Sequence, residues 1–154
     1  MFTTTARRVQ QNTAKETNAR IRHHTEQYAM DCLRGGPAAI DRRLAELDEE
    51  WDIERCLETM APTFSLAGLA LGVTANRKWL AVPIVVQAFF LQHALQGWCP
   101  PIPVLRRLGF RTADEINEER YALKALRGDF DSLSALPKTS GTSRVREAFA
   151  AAEA

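Results

Sequence analysis

A long central segment with almost no charge is the feature of this sequence that most constrains its fold. Between Thr59 and Cys99 the only charged residues are Arg77 and Lys78, which divide the segment into the uncharged runs 59–75 and 79–99. As helices these runs would be about 26 and 30 Å long, against a hydrocarbon layer about 30 Å thick. Because a short polar turn joins them, the two helices must be antiparallel neighbours. We therefore predict an all-α protein with a two-helix transmembrane hairpin, flanked by cytoplasmic amphipathic helices.

Tryptophan and arginine positions favour a membrane location and predict its orientation. Trp79 and Trp98 bracket the second run, at the spacing of the aromatic belts that lie at the two membrane–water interfaces. The segments that precede and follow the hairpin carry more arginines than the turn between its two helices. The positive-inside rule therefore places both termini in the cytoplasm. Residues 1–22 lack the apolar run of a secretory signal, so we expect the hairpin itself to insert. We expect three basic residues to contact anionic headgroups: Arg106, Arg107 and Arg111.

Helical periodicity and helix-end signals predict how the flanking segments fold. A helix is expected over about 14–33, after a frayed polar segment, 1–13. The next helix places Ile40, Leu44, Leu47 and Trp51 on one face. Prolines make the run 100–103 an extended exit from the membrane. A capping box at Thr112 starts a helix over 113–127.

These predictions divide the chain into five segments. They are a polar helical region (1–36), an amphipathic helix (37–58), the transmembrane hairpin (59–99), a proline exit with a capped helix (100–130) and a flexible tail (131–154), whose end, 144–154, is a weak helix.

Small and polar residues inside the uncharged runs are the candidates for helix packing. Gly68 and Gly72 form a GxxxG motif, which allows close approach of helix backbones. They serve either homodimerisation or packing of the first helix on the second. Polar groups at membrane depth are costly, so we expect structural hydrogen bonds, with interfacial solvation near Trp98 and a proton or solute pathway as the alternative. The intramembrane polar candidates are Gln87, Gln92, His93 and Gln96.

Composition excludes several functional classes. With 20 basic and 19 acidic residues the chain is not a strongly basic nucleic-acid binder. Cys32, Cys56 and Cys99 are too few for a disulfide scaffold or a four-ligand zinc site. The sequence contains no phosphate-binding glycine loop and no catalytic-triad pattern. We therefore predict a protein that is not an enzyme, with no metal and no cofactor.

Two short motifs carry a resemblance to a known family. They are Trp51-Asp52-Ile53-Glu54-Arg55 before the hairpin and Gly97-Trp98-Cys99-Pro100 after it. With the hairpin, they make residues 52–112 resemble the YgaP-like transmembrane domain family of small bacterial inner-membrane proteins, in which a two-helix hairpin ends in a Gly-x-Cys-Pro-type motif.

Some members of that family carry a rhodanese sulfurtransferase domain and form homodimers. The resemblance implies a multi-pass inner-membrane hairpin dimer with a sulfurtransferase as partner. The chain has no rhodanese-sized α/β domain, so transferase activity is not carried over. Cys99 is a candidate reactive thiol if Arg106 and Arg107 lower its pKa; the favoured alternative is an inert cysteine at the membrane interface.

Three hypotheses about function follow. The first is a non-enzymatic, homo-oligomeric membrane anchor or scaffold, whose helices over 40–51 and 113–127 recruit a partner. The second is a sulfur-linked membrane component that uses Cys99 as a thiol carrier or passes a small anion. The third is a soluble all-α interaction protein whose uncharged runs form a buried helix pair.

Overall fold

The structure is a computed structural model that describes residues 7–131 and 141–153. Every regular element in these ranges is helical, which confirms the all-α prediction. The elements are α1 (Arg8–Gln11), α2 (Lys15–Gly35), α3 (Pro37–Glu49), α4 (Ile53–Thr74), a 3₁₀ turn (Arg77–Leu80), α5 (Ala81–Gln96), α6 (Ile102–Leu108), α7 (Ala113–Arg127) and α8 (Gly141–Glu153).

The chain forms two compact units. The hairpin unit consists of the described residues within Met1–Arg22 and Trp51–Asp114. The second unit consists of those within His23–Glu50 and Glu115–Ala154. Each is described separately.

The helices α4 and α5 form the hairpin that the uncharged runs predict. α4 begins before the first run, because the Asp52 carboxylate accepts a hydrogen bond from the Arg55 backbone N–H at 2.7 Å and caps the helix there. At the turn, the Asn76 side chain accepts from the Lys78 N–H at 2.9 Å. α5 ends at Gln96, so Trp98 lies beyond the helix rather than in its last turn.

Close packing of the two hairpin helices explains the glycine motif. A Cβ built on Gly68 would lie 2.7 Å from Pro83 Cδ, and one on Gly72 would overlap the Leu80 side chain. The glycines of the GxxxG motif therefore pack α4 against α5 within one chain, which is the second of the two roles predicted for them. Gln87 donates to the Ser65 hydroxyl at 2.9 Å, which is the predicted hydrogen bond to another helix.

The proline-rich run is not an extended exit, and that prediction is wrong. Residues from Ile102 onward form α6, with Pro101 as its N-cap and Pro103 in its first turn. The first N–H groups of a helix have no acceptor within the helix, so proline costs little at these positions.

The N-terminal segment is also more ordered than predicted. Of the segment 1–13, residues 1–6 lie outside the described part of the chain, but Arg8–Gln11 form α1 and Val9 is 2% exposed. Trp51, predicted on the buried face of α3, lies beyond the end of that helix and is exposed, with Arg55 stacked 4.4 Å from its ring.

The second unit has an apolar core with one buried ion pair. Three of the four residues of the predicted α3 stripe lie in this core, which is made of Ile40, Leu44, Leu47, Ile116 and Leu123. Arg43 donates to both carboxylate oxygens of Glu119, at 2.8 and 3.1 Å, and the Glu119 side chain is fully buried. The apolar faces of α3 and α7 therefore lie in one core, so a partner recruited by these helices would contact their other faces.

The predicted flexible tail is only partly covered by the structure. Residues 132–140 lie outside the described residues. The helix predicted over 144–154 is present as α8, which begins at Gly141. The Lys124 ammonium donates to the Ala152 carbonyl at 2.6 Å.

We expect Glu119→Ala to destabilise the second unit, because it leaves the guanidinium of Arg43 without its buried partner. The free energy of unfolding should fall by about 3 kcal/mol, the lower end for a broken buried pair, because Glu46 remains 3.1 Å from Arg43. Urea titration in detergent, followed by circular dichroism, measures the change.

The control is Asp41→Asn, which removes an exposed partner of Arg127. Exposed pairs contribute less than about 1 kcal/mol, so this variant should be nearly neutral. Equal losses in the two variants would contradict the role assigned to burial.

Candidate functional site

The base of the hairpin, where α4 begins and α5 ends, holds the main cluster of polar side chains in the hairpin unit. Gly97 is the C-cap of α5; its φ of 74° lies in the left-handed region, and its N–H donates to the His93 carbonyl at 2.7 Å. A Cβ on Gly97 would lie 2.6 Å from the Cβ of Arg8. Glycine is therefore required both by the backbone conformation and by the close approach of α1.

The carboxylate of Glu54 connects three helices at this base. One oxygen accepts from Arg8 of α1 at 3.0 Å, and the other lies 2.7 Å from Nε2 of His93 on α5. Glu54 lies in the first turn of α4, where the helix dipole favours a negative charge. A carboxylate shared by a guanidinium and an imidazole is well placed at the end of an apolar hairpin, because its charge is balanced locally.

His93 does not have the environment that we predicted. Interfacial solvation is wrong for this residue, because its side chain is buried and Phe90 stacks on its ring at a centroid distance of 6.4 Å. Its Nδ1 has no hydrogen-bond partner in the described part of the chain. His93 therefore acts as an internal partner for Glu54, a structural hydrogen bond as the sequence favoured.

Further contacts hold α1 and the start of α2 on the hairpin. The Asn12 amide donates to the Gln96 carbonyl at 2.9 Å, at the exposed end of α5. Gln10 donates to the Thr112 hydroxyl at 2.8 Å, just before α7. Val9 packs into an apolar cluster with Ile53, Cys56, Leu57, Cys99, Ile102 and Leu105. The side chains at the base therefore serve to pack the N-terminal segment against the hairpin.

Two of the three arginines predicted to contact headgroups are buried, and the prediction is wrong for them. Arg106 is 1% exposed and donates to Asn18 Oδ1 at 2.6 Å and to the Phe110 carbonyl at 3.1 Å. Arg111 is 6% exposed. The sequence shows how many arginines follow the hairpin, but it does not show that α6 turns the side chain of Arg106 inward. Arg107 is exposed, as a headgroup contact requires.

The surroundings of Cys99 do not activate its thiol. Cys99 is 3% exposed, and burial raises the pKa of the thiol to about 11, with a smaller effect in the same direction from the Glu54 charge. A hydrogen bond with the Ile102 backbone opposes this shift without cancelling it. Because the thiolate is the nucleophile, the predicted reactive thiol lacks the lowered pKa that it requires.

The remaining candidates lie on the outside of the hairpin. Trp79 is 46% exposed in the 3₁₀ turn, and Trp98 is partly exposed at the base. Gln92 is partly exposed and Gln96 is exposed. These positions leave the tryptophans at opposite ends of α5, as interface anchors would be.

The lateral surface of the hairpin is exposed and apolar. Two helical stretches are long and apolar enough to cross a membrane by length and composition: Pro37–Thr74, which includes α4, and Arg77–Gln96. Only 6% of the most apolar window of Arg77–Gln96 is buried. The exposed large side chains on the two hairpin helices are Phe64, Leu66, Leu69, Leu71, Val73, Ile84, Val85, Phe89, Leu91 and Leu95.

No metal centre is evident among residues 7–131 and 141–153, where no group of three or more His, Cys, Asp or Glu side chains could hold an ion. No family model matches the chain, and the comparisons with curated proteins and with solved structures find no match either. The YgaP-like resemblance therefore stays a prediction.

We expect Gly97→Ala to destabilise the base more than Gly109→Ala. Both glycines have positive φ, so both variants should lose about 1–2 kcal/mol in free energy of unfolding. A Cβ on Gly109 meets nothing within 4 Å, whereas one on Gly97 meets Arg8. Gly97→Ala should therefore also speed tryptic cleavage after Arg8, measured by mass spectrometry. Equal cleavage in the two variants would show that α1 does not depend on Gly97.

We expect Cys99 to react slowly with iodoacetamide in the folded protein. In a Cys32→Ser, Cys56→Ala background, the raised pKa of about 11 leaves little thiolate at pH 8. Labelling should be about 100-fold slower than in the denatured chain, and its rate should rise about tenfold per pH unit toward pH 11. Rapid labelling of the folded chain at pH 8 would contradict a buried, protonated thiol.

Proposed function

We propose that this protein is an integral protein of the bacterial inner membrane, with both termini in the cytoplasm. In this proposal it acts as a non-enzymatic, homo-oligomeric anchor or scaffold. The observation that carries the proposal is the exposed apolar surface of α4 and α5. A core helix of a soluble protein is mostly buried, whereas the Arg77–Gln96 window is 6% buried. Apolar surface of this extent on a monomer is typical of a membrane or protein interface.

The polar groups of the hairpin support lipid as its surroundings. Within a bilayer every backbone N–H and C=O needs an internal partner, and a helical hairpin supplies these partners. Gln87 and Ser65 bond to each other, and the charged Glu54 lies at the base with Arg8 and His93. The costly groups are therefore paired or located at the end of the hairpin.

The distribution of exposed positive charge supports a cytoplasmic base. Arg20, Arg55 and Arg107 are exposed in the hairpin unit on the base side, whereas the turn carries Arg77 and Lys78. Short segments that are rich in arginine and lysine stay on the cytoplasmic side of the membrane. This orientation leaves the second unit, which follows and precedes the hairpin in sequence, in the cytoplasm.

A scaffold role fits the structural use of the polar residues. The charged groups at the base fix helices, and the Cys99 thiol is buried. Because the faces of α3 and α7 are packed in the second unit, a cytoplasmic partner would contact other exposed side chains there, such as Tyr28 and Leu33 of α2. The sulfurtransferase partner and the homodimer rest on the resemblance alone.

Membrane fractionation tests the proposal. We expect the expressed chain to remain in the membrane pellet after alkaline carbonate extraction, because α4 and α5 are held by apolar contact with lipid. A peripheral control protein should be released by the same treatment. Recovery of the chain in the supernatant, monodisperse without detergent, would overturn the proposal in favour of a soluble all-α protein.

The same membranes test the orientation. In a chain without native cysteines, Lys78→Cys in the turn should react with an impermeant maleimide in intact spheroplasts. Its matched control, Glu26→Cys on the exposed part of α2, should react only after lysis. The reverse pattern would contradict cytoplasmic termini.

A further inference from the structure

An open cleft lies on the side of the hairpin, in the half nearest the base. Its volume is about 230 Å³. α4 contributes one wall, α5 the other, and the segment 99–101 closes the end toward α6. The lining residues are Leu57, Met60, Ala61, Phe64, Val86, Phe89, Phe90, Cys99, Pro100 and Pro101.

The lining indicates an apolar occupant. Ordered water in a cavity needs two to four polar partners, and the side chains that line this cleft offer only the thiol of Cys99. Phe64 and Phe89, at the rim, are 52% and 38% exposed on the lateral surface of the hairpin. The cleft is therefore continuous with the surface that we propose to face lipid, and an acyl chain can enter it from the side.

The outer face of α6 continues the cleft toward the polar region. Pro100 and Pro101 line the cleft, and Pro101 is the N-cap of α6. One turn further, Val104 is 58% exposed, and Leu108 is 71% exposed. Ile102 and Arg106 point inward on the opposite face. This short helix thus presents apolar side chains outward, as an interfacial helix does.

Two exposed guanidinium groups lie at the far end of α6. Arg107 belongs to the exposed side of the helix, and Arg20 donates to the Arg107 carbonyl at 3.2 Å. The distance along the helix from Pro101 to Arg107 is about 9 Å. An apolar cleft that leads past an apolar helix face to positive charge is complementary to a lipid with an anionic headgroup.

We propose that the cleft and the outer face of α6 bind one anionic phospholipid, with an acyl chain in the cleft and the phosphate at Arg107 and Arg20. This inference rests on the proposed membrane location. A second copy of the chain is the alternative occupant of the cleft, and it would appear in the same measurement as a protein dimer.

Native mass spectrometry of the full chain in detergent tests the site. The probes are dioleoyl phosphatidylglycerol and dioleoyl phosphatidylcholine, added in equal amounts. We expect a one-to-one complex with phosphatidylglycerol in preference to phosphatidylcholine. Arg107→Gln should reduce this preference about fivefold, whereas Arg77→Gln at the turn should leave it unchanged.

A second pair of variants tests the cleft itself. Ala61→Phe fills the cleft and should abolish retention of both lipids, whereas Ala70→Phe, on the exposed part of α4, should not. An unchanged circular dichroism spectrum shows that each variant is folded. If Ala61→Phe does not fold, the surface variant Arg107→Gln still decides the result.

The proposal is overturned by equal retention of the two lipids, by an Arg77→Gln effect as large as that of Arg107→Gln, or by a protein dimer that Ala61→Phe alone disrupts. Failure of the membrane proposal is seen separately, as release by carbonate. A chain that stays in the membrane yet shows no phosphatidylglycerol preference would disprove only the lipid site.

Discussion

The hairpin unit depends on the contacts that the Glu54 carboxylate makes with Arg8 and His93. The carboxylate contacts both α1 and α5, through Arg8 and His93, and it comes from the first turn of α4. Taken singly, a carboxylate beside such an apolar hairpin would be strongly unfavourable. Shared between Arg8 and His93, it joins the first turn of α4 to the last turn of α5 and holds the N-terminal segment on them.

The rest of the hairpin follows from the same requirement that polar groups be paired. Above the base, Gln87 and Ser65 bond to each other, and Gly68 and Gly72 let the backbones come close enough for that contact. The large hydrophobic side chains can then cover most of the lateral surface. Its exposure in the monomer is what makes a nonaqueous environment the best account of this fold.

The sequence predicted those parts of the structure that local patterns determine. The two uncharged runs, the short polar turn between them and the start of α7 after Thr112 follow from composition and helix-end chemistry. The base could not be predicted in this way, because the Arg8–Glu54 and Glu54–His93 contacts join residues 46 and 39 positions apart. The predicted headgroup contact of Arg106 was wrong for a related reason. Nothing in the neighbouring sequence indicates that α6 turns Arg106 inward and leaves Arg107 exposed. The prolines led to a wrong prediction of an extended segment over 100–103. The free-energy cost of a proline depends on its position in a helix, and the structure is needed to show that position.

The long separation of Arg8 from its partners has a consequence for synthesis on the ribosome. α4 and α5 are adjacent in sequence and can pair as soon as both have emerged, whereas the contacts of the α1 segment with Gln96 and Gly97 need the completed α5. Contacts between distant residues are slow to form because the intervening chain must close a loop. The N-terminal segment would thus attach only after α4 and α5 have paired, so that it locks a completed hairpin.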